Sequence, residues 1–285
     1  MIRPMTADDV EGARLVTVAA LQDLDRRIGE PVAEVTEHAV ANARRRIGHL
    51  QATDPDSSWV AVDDDRVVAC ALALVRDGTW FLSLLMVEPS QQGTGLGRQL
   101  LDRSLTTATD RSWITSTVDP AALRRYRRAG FDLVPAYVGR GPVDRALLPA
   151  TPGVRVGSFD DDRDLVEDVL VAQRGARSGT DLDVLQGNGW QLLVVDDAAG
   201  RGFAVVRHGG PVWVGGTTTD AARQVLIASV AEAGDEVEVD WLSADQQWAI
   251  DACLDLRLGL HGGASICLRG RPGPMTAYLP SGAFG

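Results

Sequence analysis

The run Gln91-Gln92-Gly93-Thr94-Gly95-Leu96-Gly97-Arg98 carries more information than any other part of this chain. An apolar stretch typical of a β-strand, residues 80–87, leads into it, and an amphipathic stretch typical of a helix, residues 96–105, follows it. A glycine-rich turn at a helix start exposes main-chain N–H groups that have no partner inside the helix, and the helix dipole adds positive potential there. The run therefore predicts a seat for a phosphate group that approaches the main chain closely.

Two familiar phosphate-binding loops do not fit this run. A P-loop ends in Gly-Lys-Ser/Thr, and the chain contains no lysine. A dinucleotide fingerprint has the spacing G-x-G-x-x-G early in a βαβ unit, whereas the spacing here is G-x-G-x-G, deep in the chain. The pattern that does fit is Q/R-x-x-G-x-G/A, with Gln92, Gly95 and Gly97. On this run alone, a tight strand-to-helix turn without a ligand stays open as an alternative.

A second run follows in the order strand, turn, helix. Residues 113–118 form an apolar stretch, and Asp119-Pro120 then opens a helix, in whose first turn proline is tolerated. The helix carries Tyr126 and stops at Gly130-Phe131. Tyr126 therefore stands five residues before Phe131 on a short amphipathic helix.

Together the two runs resemble the GNAT superfamily of N-acetyltransferases over residues 1 to about 145. The first is similar to the family's acetyl-CoA signature. The second is similar to its later motif, in which a strand leads to Asn-Pro, a helix with a tyrosine, and Gly-Phe. Asp119 stands where the family has asparagine, and aspartate caps helices as well as asparagine does.

The resemblance implies acetyl-CoA as acyl donor, no metal, and an amine as acceptor. Main-chain N–H groups of the glycine turn would hold the pyrophosphate, and the strand end would carry the pantetheine arm. Tyr126, whose hydroxyl can donate, would act as general acid toward the leaving thiolate. The cofactor-binding residues predicted in this way are Met86, Val87, Gln92, Gly93, Thr94, Gly95, Leu96, Gly97, Arg98 and Asp119.

The sequence does not identify a general base. Acidic residues occur in the segment that shapes the acceptor site in this family, and polar residues flank the central strand. Each of them also fits an ordinary solvated or structural role. The residues considered are Glu30, Glu34, Glu37, His38, Ser83 and Glu88.

The order of elements predicts the fold class. The first half reads as a strand, a helix to about Arg27 that is broken at Gly29, a second helix over 35–50, three strands with a turn at Asp77-Gly78, a helix, a strand, a helix and final strands. We expect an α/β (α+β) protein with tandem GNAT-like domains, each a mixed, mostly antiparallel twisted sheet flanked by helices. The prolines near residue 149 place the domains at 1–148 and 149–285.

The second half looks like a degenerate copy of the first. With an offset of about 125 residues, Gly95 and Gly97 fall on Asp220 and Ala222, and Tyr126 falls near Ile250 or Asp251. A carboxylate at the phosphate seat would repel the ligand. We therefore expect the C-terminal half, which loosely resembles C-terminal domains of two-domain bacterial GNAT proteins, not to bind coenzyme A in the usual way.

Bulk composition limits the remaining choices. The 285 residues carry a formal net charge of −11, which argues against nucleic acid as a partner. No stretch is apolar enough for a membrane span, and the first residues lack a signal core, so we expect a cytoplasmic protein, either monomer or homodimer. The three cysteines, far apart, predict buried reduced thiols rather than a metal site.

Three hypotheses follow for the function. The first is an acetyl-CoA-dependent N-acyltransferase that acts on a small-molecule or peptide amine. The second is a non-catalytic acyl-CoA-binding or regulatory protein on the same scaffold. In the third, the second half holds the principal ligand pocket and the first half only supports it.

Overall fold

The computed structural model describes residues 1–285 as two compact units. The first unit comprises Met1–Val75 and Trp80–Asp110, and the second comprises Arg76–Thr79 and Arg111–Gly285. Compactness is a different property from a functional or evolutionary domain, so the predicted division at 148/149 stays a prediction.

The first unit has a sheet of four strands in sequence order and three helices. Its strands are β1 (Ile2–Pro4), β2 (Ser58–Asp63), β3 (Arg66–Arg76) and β4 (Thr79–Val87), and its helices are α1 (Val10–Ile28), α2 (Glu37–Thr53) and α3 (Leu96–Ser104). Strand β3 is buried from Val67 to Leu74, as expected of an inner strand. Leu100 of α3 packs against this sheet beside Val68 and Ala69, which fixes the start of α3 next to the end of β4.

Local sequence explains the ends of these elements. Gly29 adopts φ +78° and closes α1, where its N–H donates to the carbonyl of Asp25. Thr36 caps α2 by accepting a hydrogen bond from Ala39 N. Asp77 and Gly78 both have positive φ, which matches the right-handed twist of the β3–β4 hairpin. These features confirm the predicted helix breaks and hairpin turn.

The second unit contains two sheets whose recorded strand pairs are all antiparallel. One has the order β5-β12-β6-β11 and the other the order β13-β10-β9-β8-β7. The strands are β5 (Ser112–Thr117), β6 (Asp132–Pro142), β7 (Arg155–Val156), β8 (Gln191–Asp197), β9 (Gly200–Arg207), β10 (Gly210–Gly216), β11 (Glu236–Ser243), β12 (Gly259–Arg269) and β13 (Tyr278–Leu279). The helices are α4 (Pro120–Arg128), α5 (Arg163–Arg174), α6 (Asp181–Gly187), α7 (Thr219–Ala231) and α8 (Gln247–Asp255).

The neighbours of β6 correct one expectation. The sequence predicted final strands within the first half, but residues 131–145 hold only β6. Its two partners are β11 and β12, and β12 lies between β5 and β6. A period-two pattern shows which residues are extended, but it does not show which distant strand they pair with.

Two smaller predictions also need correction. From the sequence, the acidic run at residues 160–162 and the stretch that follows it to Arg174 predict a helix, but the helix begins at Arg163, because Asp162 is held outside it by Arg155 and by Ser158 N. Helix α6 was not predicted, since seven residues are too few to show a clear helical period.

Candidate functional site

The predicted phosphate seat is a turn of exposed main chain between β4 and α3. Gly93 has φ +82° and Gly95 has φ +93°, conformations that only glycine adopts without strain. The carbonyl of Gly95 accepts hydrogen bonds from Arg98 N and Gln99 N, each at 3.1 Å, which starts the helix. The N–H groups of Gly93, Thr94 and Gly95 donate no hydrogen bond within the protein, so they are available to a ligand.

Side chains of the same run brace the turn from within. Thr94 Oγ1 donates to the carbonyl of Gln91 at 2.7 Å, and Gln92 Nε2 donates to the carbonyl of Val87 at 3.3 Å. A Cβ added at Gly93 would meet nothing within 4 Å, and one added at Gly95 would meet only Gln99 Nε2, at 3.9 Å. The space beside the α-carbons of both glycines is therefore open, and exposed main-chain N–H groups at a helix start suit a phosphate group in polarity.

Arg98 adds a mobile positive charge beside the turn. Its side chain is 82% exposed and lies 3.6 Å from Asp102, a loose ion pair. Such a pair contributes little to stability, so the guanidinium can exchange Asp102 for a phosphate oxygen at small cost. Leu96 and Gly97 continue the turn into the helix, and Gly97 is buried.

The end of β4 is half-buried, and one of its main-chain carbonyls is already hydrogen-bonded. Met86 and Val87 lie next to the turn, and the carbonyl of Val87 already accepts from Gln92. The main chain at Met86 lies close to the thiol of Cys70, whose pKa burial raises to about 12. All three cysteines are buried and free, as predicted.

Tyr126 lies in the second unit with its side chain nearly enclosed. It is 6% exposed on α4, and its hydroxyl makes no hydrogen bond. Burial raises the pKa of this phenol, and the nearby Cys267 on β12 raises it further. The phenol is therefore protonated at neutral pH and has a proton available to donate.

Asp119 caps the helix that carries Tyr126. Its Oδ2 accepts from Ala122 N at 3.3 Å, and its own N–H donates to Thr117 Oγ1 at 3.4 Å. A carboxylate suits this position because it faces the positive end of the helix dipole. The departure from the family's asparagine thus preserves the cap.

The structure brings the predicted residues together in two groups. Met86, Val87 and the glycine-turn residues are contiguous in the first unit, and Asp119 and Tyr126 lie at the start and near the end of α4 in the second. Their roles in binding and catalysis stay predictions.

Two candidates for the general base have other partners. Glu88 forms a bidentate pair with Arg66 at 2.8 and 3.0 Å, and this pair lowers the pKa of its carboxyl. Ser83 Oγ accepts from Arg46 at 2.7 Å, and the Ser83 carbonyl accepts from it at 2.6 Å. Glu30, Glu34, Glu37 and His38 are exposed. The base stays unidentified.

Arg46 is a polar feature of the first unit that sequence inspection missed. It reaches from α2 to Ser83 on β4, and burial lowers the pKa of its guanidinium to about 10. In the sequence it stands in the run Arg44-Arg45-Arg46, where helix-end charge is the ordinary explanation. Only a helical wheel that placed Arg46 on the same face as the buried Leu50 would have marked it as inward-facing.

The corresponding turn in the second half has a different construction. Thr218 Oγ1 accepts from Ala221 N at 3.1 Å, so a side chain already takes the N–H that a ligand would use. A Cβ at Gly216 would come within 2.6 Å of Ala222 N and Thr218 O, which shows how tightly the main chain closes there. These contacts support the prediction that this half does not bind coenzyme A in the usual way.

No three His, Cys, Asp or Glu side chains lie together in a group that could hold a metal ion. No helix has both the length and the apolar character that crossing a bilayer requires.

These features define a class of protein: an α/β fold with largely antiparallel sheets and a glycine-rich turn with exposed main chain at a helix start. Residues 18–131 match the model of the acetyltransferase (GNAT) family. This stretch of the chain is therefore similar to the GNAT acetyltransferases, a family that transfers acyl groups from acyl-CoA. The family uses acetyl-CoA as donor.

Solved structures support the same fold over both halves. A protein from Pyrococcus horikoshii assigned as an acetyltransferase matches 100% of this chain and 95% of its own, with a TM-score of 0.76 and 15% identity. A tandem GNAT protein from the clavulanic acid biosynthesis pathway matches 96% of this chain and 99% of its own, with a TM-score of 0.55 and 16% identity. A GCN5-related N-acetyltransferase from Sphaerobacter thermophilus matches 99% and 98%, with a TM-score of 0.54 and 17% identity.

Identities this low show the fold alone, and they confirm the predicted fold class. Comparison with curated proteins gives no significant match.

Proposed function

We propose that this protein is an N-acyltransferase that uses acetyl-CoA as donor and an amine as acceptor, with Tyr126 as general acid. The observation that carries the proposal is the set of N–H groups at Gly93, Thr94 and Gly95, which make no hydrogen bond in the protein and belong to exposed residues at the start of α3. Unpaired amides on an exposed turn cost nothing while water solvates them, and they suit a doubly charged diphosphate.

Each part of the site has one task in this proposal. Acetyl-CoA supplies an activated acyl group as its thioester. The amides of the glycine turn bind the pyrophosphate, and Arg98 adds charge attraction. Met86 and Val87 offer main-chain groups along the pantetheine arm, and Asp119 keeps the first turn of α4 in place. Tyr126 gives its proton to the thiolate that leaves, because burial keeps the phenol protonated until then.

The acceptor is an amine on a small molecule or a peptide, and it must be neutral to attack. The net charge of −11 favours the approach of cationic amines. We propose a monomer or homodimer that acts without metal or nucleic acid.

The Tyr126→Phe variant tests this function. We expect the dissociation constant for coenzyme A, measured by calorimetry, to stay within about twofold. Turnover, measured as thiol release, should fall by about 10²- to 10⁴-fold, because a positioned acid contributes that much. The melting temperature should stay unchanged, since the hydroxyl makes no hydrogen bond in the folded protein.

Tyr137→Phe is the matched control, because Tyr137 is 49% exposed and lies on β6 rather than α4. It should leave thiol release unchanged. Coenzyme A binding by the wild type without turnover across a broad panel of amines would instead support the non-catalytic alternative. Absence of coenzyme A binding would contradict both.

A further inference from the structure

Strand β12 extends beyond β5, the neighbouring strand that leads into helix α4. It pairs with β6 from Gly259 to Leu268, but with β5 only from Ala264 to Arg269. Residues 259–263 therefore have a strand on one side and none on the other. This leaves a five-residue open edge in the middle of the β5-β12-β6-β11 sheet.

The open edge offers main-chain hydrogen-bonding groups. In an antiparallel strand, the N–H and C=O groups of alternate residues point to opposite sides. Residues 259–263 have no hydrogen bonds other than the ladder to β6, so the groups on the outer side face solvent. A second strand could take all of them in register.

Nothing on this edge prevents pairing. Natural sheet edges are usually guarded by proline, lysine or inward charge, and residues 259–263 contain none of these. A Cβ at Gly262 or Gly263 would meet nothing within 4 Å, so the space beside the edge is open. The imidazole of His261 lies beside Gly259, with Nε2 2.9 Å from where a Cβ of residue 259 would stand.

The position of the edge links it to Tyr126. Ala264 pairs with Thr117, the last residue of β5, and Asp119 follows two residues later. A strand added beside residues 259–263 would continue the line of β5 and end next to Asp119. Tyr126 lies two turns further along α4, about 10 Å away along the helix axis, and Cys267 of β12 is close enough to affect its pKa.

We infer that the acceptor is the free N-terminus of an extended polypeptide, bound as an added antiparallel or parallel strand on the open edge at 259–263. This inference rests on the proposed acyl transfer. The Asp119 carboxylate and the net charge of −11 complement an N-terminal ammonium group. The C-terminal half then contributes the strand that binds the acceptor.

A second copy of this chain fits the edge less well than a peptide. Five residues span about 17 Å, and one strand pair of that length buries only a fraction of the roughly 1,200 Å² that stable interfaces need. A peptide substrate needs no such area, because it must bind only long enough to react.

The test uses the full-length protein, acetyl-CoA and three acceptor mixtures. The first contains free-amine pentapeptide amides of random sequence, the second contains single amino-acid amides, and the third is a panel of small primary amines. We expect the pentapeptides to have a kcat/KM at least tenfold above that of the amino-acid amides, because each strand hydrogen bond adds about fivefold.

Backbone N-methylation then tests the binding mode. One pentapeptide series is methylated at residues 2 and 4, and the other at residues 3 and 5, so that each series loses donors on one side only. Strand pairing predicts that one series loses tenfold or more in kcat/KM while the other stays within about threefold. Each series controls for the conformational effect of methylation in the other.

The outcomes separate this inference from the proposed function. Equal rates for the two methylated series, or pentapeptides no better than amino-acid amides, would overturn the strand mode. Acetylation of small amines alone would overturn it while leaving the acyltransferase intact. Coenzyme A binding without transfer to any mixture would remove the proposed function and this inference with it. A dimer in sedimentation that Gly262→Pro dissociates would assign the edge to a second copy instead.

Discussion

The predicted phosphate seat depends on the main-chain conformation of Gly95. At φ +93° an L-residue is strained, although a Cβ there would meet no atom closer than 3.9 Å. Gly95→Ala should therefore lower the free energy of unfolding by about 1–2 kcal/mol. It should also weaken coenzyme A binding in calorimetry, because relaxation of the strain turns the free amides away.

Gly48→Ala is the control for that substitution. Gly48 lies inside α2 with ordinary φ and open space around its Cβ position. Alanine should stabilise the helix by about 0.5–1 kcal/mol and leave coenzyme A binding unchanged. Equal coenzyme A affinities for the wild type and the Gly95 variant would show that these amides are not the seat.

Asp240 makes stability depend on pH. It lies at a β-bulge between Val239 and Leu242, and burial, aided by Glu238, raises the pKa of its carboxyl from 3.8 to about 6. Arg207 and Arg140 oppose this shift. The folded protein therefore holds this proton more tightly than the unfolded chain, and the stability it contributes is lost as pH rises from about 4 through 6.

Asp240→Asn should remove this loss, since the amide carries no charge. We expect the variant to be more stable than the wild type by about 1–2 kcal/mol at pH 8, and nearly equal to it at pH 4. Urea unfolding at both pH values measures the difference. An advantage that is the same at pH 4 and pH 8 would mean that titration of Asp240 is not its cause.

At the residue scale, the sequence predicts features that are set by adjacent residues. It misses features that depend on residues far away in the chain. Gly93 and Gly95 were predictable because their φ values follow from a turn motif of adjacent residues. The surroundings of Tyr126 were not, because Cys267 comes from a strand near the other end of the chain. Arg46 was missed because its partner Ser83 lies on another element.

At the scale of elements, one ion pair holds the β3–β4 turn inside the second unit. Arg76 Nη2 lies 2.7 Å from Asp181 Oδ1, and the Asp181 side chain is fully buried. Asp77 of the same turn accepts from Arg177 N at 2.8 Å. The ion pair and this hydrogen bond hold the turn beside the segment that contains the start of α6.

Asp181→Ala should cost about 3–5 kcal/mol of unfolding free energy, because it leaves a largely buried guanidinium without its carboxylate. The control is Asp168→Ala, which removes the exposed pair between Asp168 and Arg201. That change should cost less than about 1 kcal/mol. Similar losses for the two variants in urea unfolding would contradict a special role for the buried pair.

Elements with local signals were predicted well. Helix α1 ends where a glycine interrupts it, and the β3–β4 turn is an Asp-Gly pair. Helix α6 has neither a long period nor a strong cap, since Thr180 makes no side-chain cap bond. Its position depends instead on the buried pair at Asp181, which is tertiary information.

At the scale of the whole molecule, the order of the strands within the sheet could not be predicted from the sequence. The succession of strands and helices along the chain was predictable, and with it the fold class. The insertion of β12 between β5 and β6 was not, because pairing between distant strands is chosen by packing of the complete chain. The predicted first domain, 1–148, thus contains β5 and β6 without the strand that joins them.

This insertion predicts how a divided chain behaves. A fragment of residues 1–148 would expose facing edges of β5 and β6 that β12 covers in the full chain, and it would lose β11 beyond β6. Open edges promote aggregation, and Tyr126 would lose the neighbouring Cys267, which helps to raise the pKa of its phenol. We expect the fragment to melt without cooperativity in circular dichroism and to show no thiol release.

Coexpression with residues 149–285 should restore cooperative melting and thiol release, because β11 and β12 are then available to pair with β6. A fragment 1–148 that unfolds cooperatively and transfers acyl groups at the wild-type rate would show that β12 is dispensable, and the acceptor edge on it would then have no part in catalysis.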